Sequence, residues 1–273
     1  MRDAVAAITE SGVEVVLATG RSPWSGIAEL SDRLRLAGPQ ITMQGALVSM
    51  PATGDVHRLR TIPAALYRDA IRFADELGLD PIVGLLDGHR AERLPDGLEL
   101  FATPLADSLR FRYVEGLERL GHERPLHERP VHERPVRVFL PTGPDRHGAV
   151  RRRALAHFAD RASIVWSDMT GIEILAPGTN KGDAVTWLAA SHGIAPGEVA
   201  AVGDAANDME MLQWAGRSAA MGTAPGEVRR CADLVVPPSD ELGVLDAFAW
   251  FFPDLAPEIG ASSPRMHPAS RAG

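Results

Sequence analysis

The spacing of apolar residues divides the chain into three blocks, and the first block alternates helix and strand. Residues 2–11 have the helical spacing of apolar positions, and residues 24–36 have it again. Val13–Ala18 is a short apolar run typical of a strand buried on both faces, and Ile41–Val48 is a second strand candidate. This order of elements predicts an α/β domain with a doubly wound parallel sheet.

The middle block, from about residue 58, has a different pattern. An amphipathic helix is predicted over Ile62–Leu77, with its end at Gly78, and a second helix over residues 144–160. Short strand-like segments lie at residues 81–86, 99–102, 137–140, 164–166 and 171–175. The last two segments resemble a hairpin. This block therefore predicts a separate α+β domain.

The third block returns to the α/β pattern at Lys181. Its predicted helices are 181–192, 207–215, 225–231 and 241–251, and its predicted strands are 199–202, 218–221 and 234–236. We therefore predict a Rossmann-like core from residues 1–58 and 174–253, with an inserted α/β cap domain at 59–173. Residues 254–273 are rich in Pro, Ser, Ala and Gly, which predicts a disordered tail.

Residues 122–135 contain the sequence His-Glu-Arg-Pro three times, with a period of five residues. A proline at every fifth position is incompatible with a helix interior or a central strand. Three histidines at this spacing could suggest a metal site. Each histidine is followed by a Glu-Arg pair, however, and we favour a solvated loop made by a short duplication.

Composition narrows the class of protein. With 45% hydrophobic and 23% charged residues, the chain is typical of soluble globular proteins, and no apolar run is long enough to span a membrane. The N-terminus does not resemble a signal peptide, and a single cysteine fits a reducing cytoplasm. A net charge of -8 argues against a general nucleic-acid binder, although it allows a small anionic substrate.

The basic residues are almost all arginine rather than lysine. Of the 28 basic residues all but one are arginine, and the exception is Lys181. One interpretation is a bias toward arginine codons alone, with one lysine left by chance. The alternative is that a compact ammonium group is needed at a site where the wide arginine fork does not fit.

Two of the three loops with candidate chemistry are suited to an anion. Residues 17–21 (Leu-Ala-Thr-Gly-Arg) leave an apolar strand with a hydroxyl and free N–H groups just before a helix, an arrangement that suits phosphate oxygens. Residues 177–183 (Pro-Gly-Thr-Asn-Lys-Gly-Asp) place Lys181 at a helix start, where an anionic ligand would offset its unfavourable interaction with the helix dipole. An ordinary turn and a solvated lysine are the alternative interpretations.

The third loop is suited to a cation. An apolar strand ends at Gly203 and Asp204, and Asn207 and Asp208 follow within one turn. Three oxygen-bearing side chains within five residues are typical of a site for a hard cation such as Mg²⁺. The alternative is a helix N-cap, which would account for one of these side chains but not for all three.

These loops resemble motifs II, III and IV of Cof-type phosphatases, with a class IIB cap, in the haloacid dehalogenase superfamily. The matching sequences are Thr-Gly-Arg at 19–21, Pro-Gly-x-x-Lys-Gly at 177–182 and Gly-Asp-x-x-Asn-Asp-x-x-Met at 203–211. Residues 41–48 are also similar, although Gln44 stands where the family usually has Asn. The resemblance covers most of the chain and implies that the middle block is the cap.

The resemblance also implies roles for individual residues. Those expected at the phosphate are Thr19, Gly20, Arg21, Lys181 and Asn207. Thr19 and Lys181 are expected to be catalytic as well, with Lys181 neutralising the nucleophile and the phosphate. The expected metal residues are Asp204, as a ligand of Mg²⁺, and Asp208, which would hold the site from behind. Phosphoryl transfer depends mainly on positioning and charge neutralisation, which these groups supply.

The family's first motif, Asp-x-Asp-Gly-Thr, is the point at which this sequence departs from the pattern. The first Asp of that motif attacks phosphorus, and the second acts as acid and base. No Asp-x-Asp occurs in the 273 residues. The two flanking strand candidates are nevertheless as apolar as strands buried on both faces. We therefore expect that the native start lies upstream of Met1, and that the 273 residues alone are inactive.

The sequence leaves several functions open. The leading one is a cytoplasmic, Mg²⁺-dependent phosphatase of small phosphorylated metabolites, with sugar phosphates as the default by resemblance. The alternatives are a non-catalytic relative that binds a phosphorylated ligand and a mutase-like member that transfers phosphate within a sugar. A nucleotide-binding Rossmann protein is disfavoured because Gly-x-Gly-x-x-Gly is absent. The physiological substrate and the oligomeric state are not encoded in any readable motif.

Overall fold

A computed structural model describes residues 1–93, 111–114, 116–117, 129–166, 170–260 and 267–268. The chain forms two compact units. The first consists of Met1–Thr19, Ile27–His57 and Asn180–Gly273, and the second of Gly20–Gly26 and Arg58–Thr179. Compared with the division predicted from sequence, the second unit gains residues 20–26 and extends from 173 to 179.

The helices and strands alternate through most of the described chain. The helices are α1 Arg2–Glu10, α2 Ile27–Leu34, α3 Ala64–Glu76, α4 Gly143–Phe158, α5 Lys181–Ser191, α6 Met209–Trp214, α7 Gly226–Cys231, α8 Gly243–Phe251 and α9 Ala256–Ile259. The strands are β1 Gln40–Thr42, β2 Leu47–Ser49, β3 Val56–Leu59, β4 Ile82–Leu85, β5 Gly88–Ala91, β6 Phe111–Tyr113, β7 Arg137–Pro141, β8 Ser163–Val165, β9 Gly171–Leu175, β10 Ala200–Gly203, β11 Arg217–Met221, β12 Leu234–Val236 and β13 His267–Pro268.

In the first unit, the sheet that carries most of the candidate site has the order β10-β11-β12-β13. The first three strands are parallel, and β13 is antiparallel to β12. Helices connect the parallel strands, as such crossovers require. The predicted α/β class is therefore confirmed. Candidate residues after β10 lie at the carboxyl end of a parallel strand, where open α/β sheets bind ligands.

The prediction that Val13–Ala18 is a strand buried on both faces is wrong. Its residues are half-buried or exposed, and its β-bridge among the described residues joins Ala18 to Ile41 in parallel. Strand β10 lies at one edge of its own sheet, and Ala200 at its start is exposed. Val13–Ala18 likewise has one neighbour among the described residues, so part of its surface stays in contact with solvent. This explains why the segment is less buried than predicted.

The predicted single strand Ile41–Val48 is instead two short strands around a tight turn. Strands β1 and β2 are antiparallel, with Ile41 opposite Val48. Between them lies a 3-10 turn, Met43–Gly45, in which all three residues have positive φ. The apolar pattern continues through the turn because every residue in it is buried. The pattern of apolar residues therefore could not reveal the turn.

The second unit contains a six-stranded sheet of order β6-β5-β4-β7-β9-β8. Most of its pairs are antiparallel, and β8 with β9 forms the expected hairpin. Helices α3 and α4 supply one side of the core, in which Tyr67 and Phe158 are fully buried. This is an α+β arrangement with its own hydrophobic core.

Three sequence predictions lie wholly or partly outside the described residues, among them residues 261–266 and 269–273 of the predicted tail. The predicted strand over 99–102 and residues 122–128 of the His-Glu-Arg-Pro repeat belong to this category, whereas Val131–Glu133 form a 3-10 turn. The prediction of a disordered tail from residue 254 is wrong at two places. Helix α9 covers Ala256–Ile259, with Ile259 buried, and His267–Pro268 pair with β12 as strand β13. Among the described helices, none is both long and apolar enough to cross a membrane.

Candidate functional site

The loop after β10 is organised around the carboxylate of Asp208. One carboxylate oxygen, Oδ2, accepts hydrogen bonds from the backbone N–H groups of Asp204 and Ala205, at 3.0 and 3.1 Å. This arrangement requires a glycine at the end of the strand, since a Cβ on Gly203 would lie 2.5 Å from the Cβ of Asp208. Asp208 is buried and therefore fixes the turn from inside, while Asp204 is exposed.

The other oxygen of Asp208 holds the single lysine. Lys181 Nζ donates to Asp208 Oδ1 at 2.6 Å, and both side chains are less than 10% exposed. Lys181 is the first residue of α5, and its position is set by Asn180, whose Oδ1 accepts a hydrogen bond from Asp183 N at 2.7 Å. A short, charge-assisted bond between buried groups fixes the ammonium in one place.

The adjacent Gly182 explains why glycine follows the lysine in this loop. A Cβ at Gly182 would lie 2.8 Å from the backbone carbon of Glu210. Glycine thus allows the start of α5 to approach the start of α6 closely. The Lys-Gly pair and the loop after β10 are therefore brought together by backbone packing as well as by the ion pair.

The turn between β1 and β2 connects the other two loops. The backbone N–H of Gln44 donates to Thr19 O at 3.1 Å. Gly45 packs directly on the start of α5, since a Cβ there would lie 2.1 Å from Asn180 O. Residues from two of the predicted motifs thus meet at this turn.

Asn207 is attached to the same turn through its side chain. Its Nδ2 donates to Gln44 Oε1 at 2.8 Å, and both residues are buried. Asn207 Oδ1 is buried and has no hydrogen-bond partner among the described residues. Buried carbonyl oxygens are rarely left unpaired, because the loss of hydration costs about 1–3 kcal/mol.

Gly20 and Arg21 belong to the second unit, and Arg137 of β7 holds this segment. Arg137 Nη1 donates to Gly20 O and to Glu173 Oε2, each at 2.7 Å, and Nη2 donates to Ser22 Oγ at 3.1 Å. Arg21 itself is exposed. Thr19 is half-buried, and its N–H donates to Ile41 O at 2.9 Å.

The oxygen atoms in the first unit fit a hard cation. Asp204 offers an exposed carboxylate and Asn207 an unpaired amide oxygen, which are the ligand types that Mg²⁺ prefers. Across the described ranges, no group of three or more His, Cys, Asp or Glu side chains could hold a metal ion. Both oxygens of Asp208 already accept hydrogen bonds from the protein.

Sequence reasoning did not identify Gln44 as a member of the site. A usable signal was present, since Gln44 precedes a glycine between two apolar runs, where a turn with positive φ is common. Arg137 was also missed. Its role depends on contacts with residues more than 100 positions away, which no local pattern can reveal.

Comparison with known proteins identifies the family of this chain. A family model described as haloacid dehalogenase-like hydrolase matches residues 1–248. "Putative phosphatase YxeH" of Bacillus subtilis is 30% identical over 256 residues, which cover 90% of this chain and 88% of that protein. The chloroplastic endoribonuclease YBEY of Arabidopsis thaliana is 30% identical over 244 residues. That match covers 86% of this chain, which spans only 40% of the relative.

A similar fold is found among solved structures. The subclass IIB sugar phosphatase BT4131 of the haloacid dehalogenase superfamily superimposes with a TM-score of 0.76 at 21% identity. The match covers 91% of this chain and 89% of that one. The shared fold and the family match confirm the family resemblance that was inferred from the sequences of the three loops. This chain belongs to the haloacid dehalogenase-like hydrolases.

Proposed function

We propose that this protein is a Mg²⁺-dependent phosphatase of small phosphorylated metabolites, of the Cof type. The observation that carries the proposal is the buried ion pair between Lys181 and Asp208. The second carboxylate oxygen of Asp208 accepts a hydrogen bond from the backbone N–H of Asp204 and so stabilises that loop. This arrangement fixes a positive charge beside candidate cation ligands. The family match and the phosphatase named among the relatives support the same chemistry.

The proposed phosphate-binding groups are Thr19, Gly20, Arg21, Lys181 and Asn207. Lys181 supplies a positive charge that the ion pair holds in a fixed position, so binding costs little reorganisation. The Thr19 hydroxyl and the following N–H groups lie where a chain leaves a β-bridge, which suits phosphate oxygens. Thr19 and Lys181 are the two groups to which we assign a catalytic role.

Asp204 and Asp208 are the proposed metal residues, with different tasks. Asp204 is exposed and can contribute a carboxylate oxygen, whereas Asp208 orients Lys181 and the loop. When bound, Mg²⁺ would neutralise charge on the phosphoryl oxygens. Removal of the metal with a chelator should therefore weaken the binding of inorganic phosphate to this chain.

For the substrate we propose sugar phosphates, and we assign their selection to the second unit as a cap. The support is the subclass IIB sugar phosphatase, which has the same fold. We also propose that the enzyme is cytoplasmic, with the single cysteine as the support, because few cysteines are typical of proteins in a reducing compartment. A panel of sugar phosphates, scored by released phosphate, tests this assignment, and isomerisation without release would indicate a mutase.

A second candidate function is binding of a phosphorylated ligand without turnover. The observation that favours it is that the proposed phosphate-binding groups Thr19, Lys181 and Asn207 all lie within the 273 residues. On either proposal we expect these 273 residues to bind inorganic phosphate with Mg²⁺ and to hydrolyse no p-nitrophenyl phosphate.

The two functions are distinguished by supplying the nucleophile. A strand that ends in Asp-x-Asp-Gly-Thr is joined to residue 1, and Mg²⁺-dependent hydrolysis of p-nitrophenyl phosphate is measured. Turnover that disappears when the first Asp of the added strand is replaced by Asn supports the phosphatase. A folded, phosphate-binding fusion without turnover supports the binding protein.

A further inference from the structure

The turn between β1 and β2 is held in an unusual backbone conformation. Met43 has φ 50° and Gln44 has φ 60°, followed by Gly45 with φ 91°. Two successive non-glycine residues in the left-handed region cost on the order of 1–3 kcal/mol each. Such strain persists only where surrounding contacts impose it. The contacts of Gln44 therefore indicate what the turn is built to hold.

Gln44 joins two loops of the candidate site. It is 1% exposed, and its N–H donates to Thr19 O while its Oε1 accepts from Asn207 Nδ2. The strained backbone thus directs the side chain inward, toward the loop after β10. A glycine would remove the strain but could not make the side-chain contact.

The contact determines which end of the Asn207 amide is left over. An amide has a donor end and an acceptor end, and the network of hydrogen bonds decides their orientation. Gln44 Oε1 accepts from Asn207 Nδ2, and Asn207 Oδ1 has no hydrogen-bond partner within the described part of the chain. Asn207 is 7% exposed, so water alone satisfies this oxygen poorly. A carbonyl oxygen is a ligand for a hard cation, and Nδ2 keeps a second N–H for an anion.

We propose that Gln44 is a positioning residue for the cation site: its side-chain oxygen holds Asn207 Nδ2 so that Asn207 Oδ1 faces a bound Mg²⁺. The inference rests on the proposed function and adds to it a ligand atom and the residue that orients it. Asn207 would then contact the cation through Oδ1 and could contact the phosphate through its remaining N–H. Residues that orient a metal ligand commonly change metal affinity by about 10–100-fold when they are replaced.

The test is a double-mutant cycle on Mg²⁺ affinity, measured by calorimetry without substrate. Gln44→Met preserves length and removes the acceptor, and we expect it to weaken Mg²⁺ binding about tenfold. In an Asn207→Ala background the same change should have less than about a twofold effect, because Gln44 acts through Asn207. A role confined to structure would weaken binding equally in both backgrounds and would overturn the proposal.

Leu242→Gly is the control for backbone strain. Leu242 has φ 59°, close to that of Gln44, and its side chain is exposed. We expect this variant to bind Mg²⁺ as the wild type does. If Gln44→Met fails to fold, the wild-type chain still provides a test. The Asn207 side-chain amide resonance, identified by its loss in Asn207→Ala, should shift on titration with Mg²⁺.

Two results would separate this inference from the proposed function. Mg²⁺ binding by the wild type with an unmoved Asn207 resonance overturns the role of Gln44 and Asn207 but leaves the phosphatase proposal intact. No Mg²⁺ binding by the folded wild type overturns both. A resonance that moves with inorganic phosphate alone, and not with Mg²⁺, would show that Asn207 contacts the anion only, against the inference.

Discussion

At the scale of single residues, the site depends on buried charge. Lys181 and Asp208 are less than 10% exposed, and Nζ lies 2.6 Å from Oδ1. Replacing one partner of a buried pair costs more than the pair contributes, because the other charge loses its partner. Asp208 retains two backbone N–H donors, so it is not left entirely unsatisfied.

The first prediction concerns replacement of this lysine. Lys181→Met should lower the free energy of unfolding by about 2 kcal/mol, because the Asp208 charge loses its cation. Lys181→Arg should behave more like the Met variant than like the wild type, since a planar guanidinium is wider than the ammonium that the site encloses. Urea denaturation of the three proteins measures both effects. Wild-type stability of Lys181→Arg would contradict the steric explanation for the single lysine.

The contrast between Lys181 and Gln44 shows what a sequence can reveal about a site. Lys181 was visible because it is the sole lysine and lies in a loop of recognisable form. Gln44 lies in a run of apolar and small residues that matches a single strand. Its importance comes from a contact 163 positions away in sequence, which has no local signal, whereas the following glycine gives only an indication of the positive φ.

At the scale of elements, the turn between β1 and β2 depends on one glycine. Gly45 has φ 91°, and an added Cβ would lie 2.1 Å from Asn180 O. Gly12 has the same φ, but nothing lies within 4 Å of the position of its Cβ. The two glycines therefore separate the cost of backbone strain from the cost of a steric clash.

We accordingly expect Gly12→Ala to cost about 1–2 kcal/mol of unfolding free energy through strain alone. Gly45→Ala should cost at least about 2 kcal/mol more, because the start of α5 must move away. Thermal and urea unfolding of both variants measure the difference. Equal losses would show that the start of α5 can shift at little cost.

A pH-dependent contact in the second unit links α3 to the residues at the end of α4. Asp69 Oδ2 accepts from Arg161 Nη1 at 2.7 Å, and its Oδ1 lies 3.1 Å from His157 Nε2. Burial by itself raises the pKa of Asp69. Hydrogen bonds and positive charge from Arg161 and His157 outweigh this effect, so the net shift of the Asp69 pKa is downward.

A lowered pKa fixes the sign of the pH dependence. The contribution of Asp69 to stability is complete above the pKa of an unfolded aspartate, about 3.9, and is lost as pH falls through the lower folded pKa. Asp69→Asn should therefore lower the free energy of unfolding at pH 7. The expected loss is only about 1 kcal/mol, because the side chains of Arg161 and His157 are partly exposed and solvent screens their charge. The difference from the wild type should shrink as the pH is lowered below 3.9. A difference that stays constant down to pH 2 would contradict this assignment.

At the scale of the whole molecule, the order of elements was more predictable than their pairing. The helices and strands predicted between residues 181 and 251 appear within two residues of their predicted bounds, since each apolar run is separated from the next by a polar loop. Val13–Ala18 was misjudged because its apolar residues give the pattern of a doubly flanked strand, whereas its described bridge joins it to Ile41. Pairing depends on neighbours distant in sequence, which hydrophobic patterning does not specify.

The separate cores predict that the two units lose stability separately. Phe158 lies in a core built from residues of the second unit, whereas Leu212 lies in a cluster of the first unit. Both side chains are fully buried. Phe158→Ala and Leu212→Ala should each cost about 3–5 kcal/mol in the unit that contains them. Because the clusters share no buried residue, protection from hydrogen exchange should fall mainly in that unit.

Hydrogen exchange followed by peptide mass analysis measures this directly. In Phe158→Ala, peptides from α3, β7 and β9 should exchange faster, while those from α5, β10 and β11 keep their wild-type rates. Leu212→Ala should show the reverse pattern and is the matched control. A loss of protection across both units in either variant would show that the molecule unfolds as one cooperative body. In that case a substitution in the second unit would lower the stability of the candidate site in the first unit without touching any of its residues.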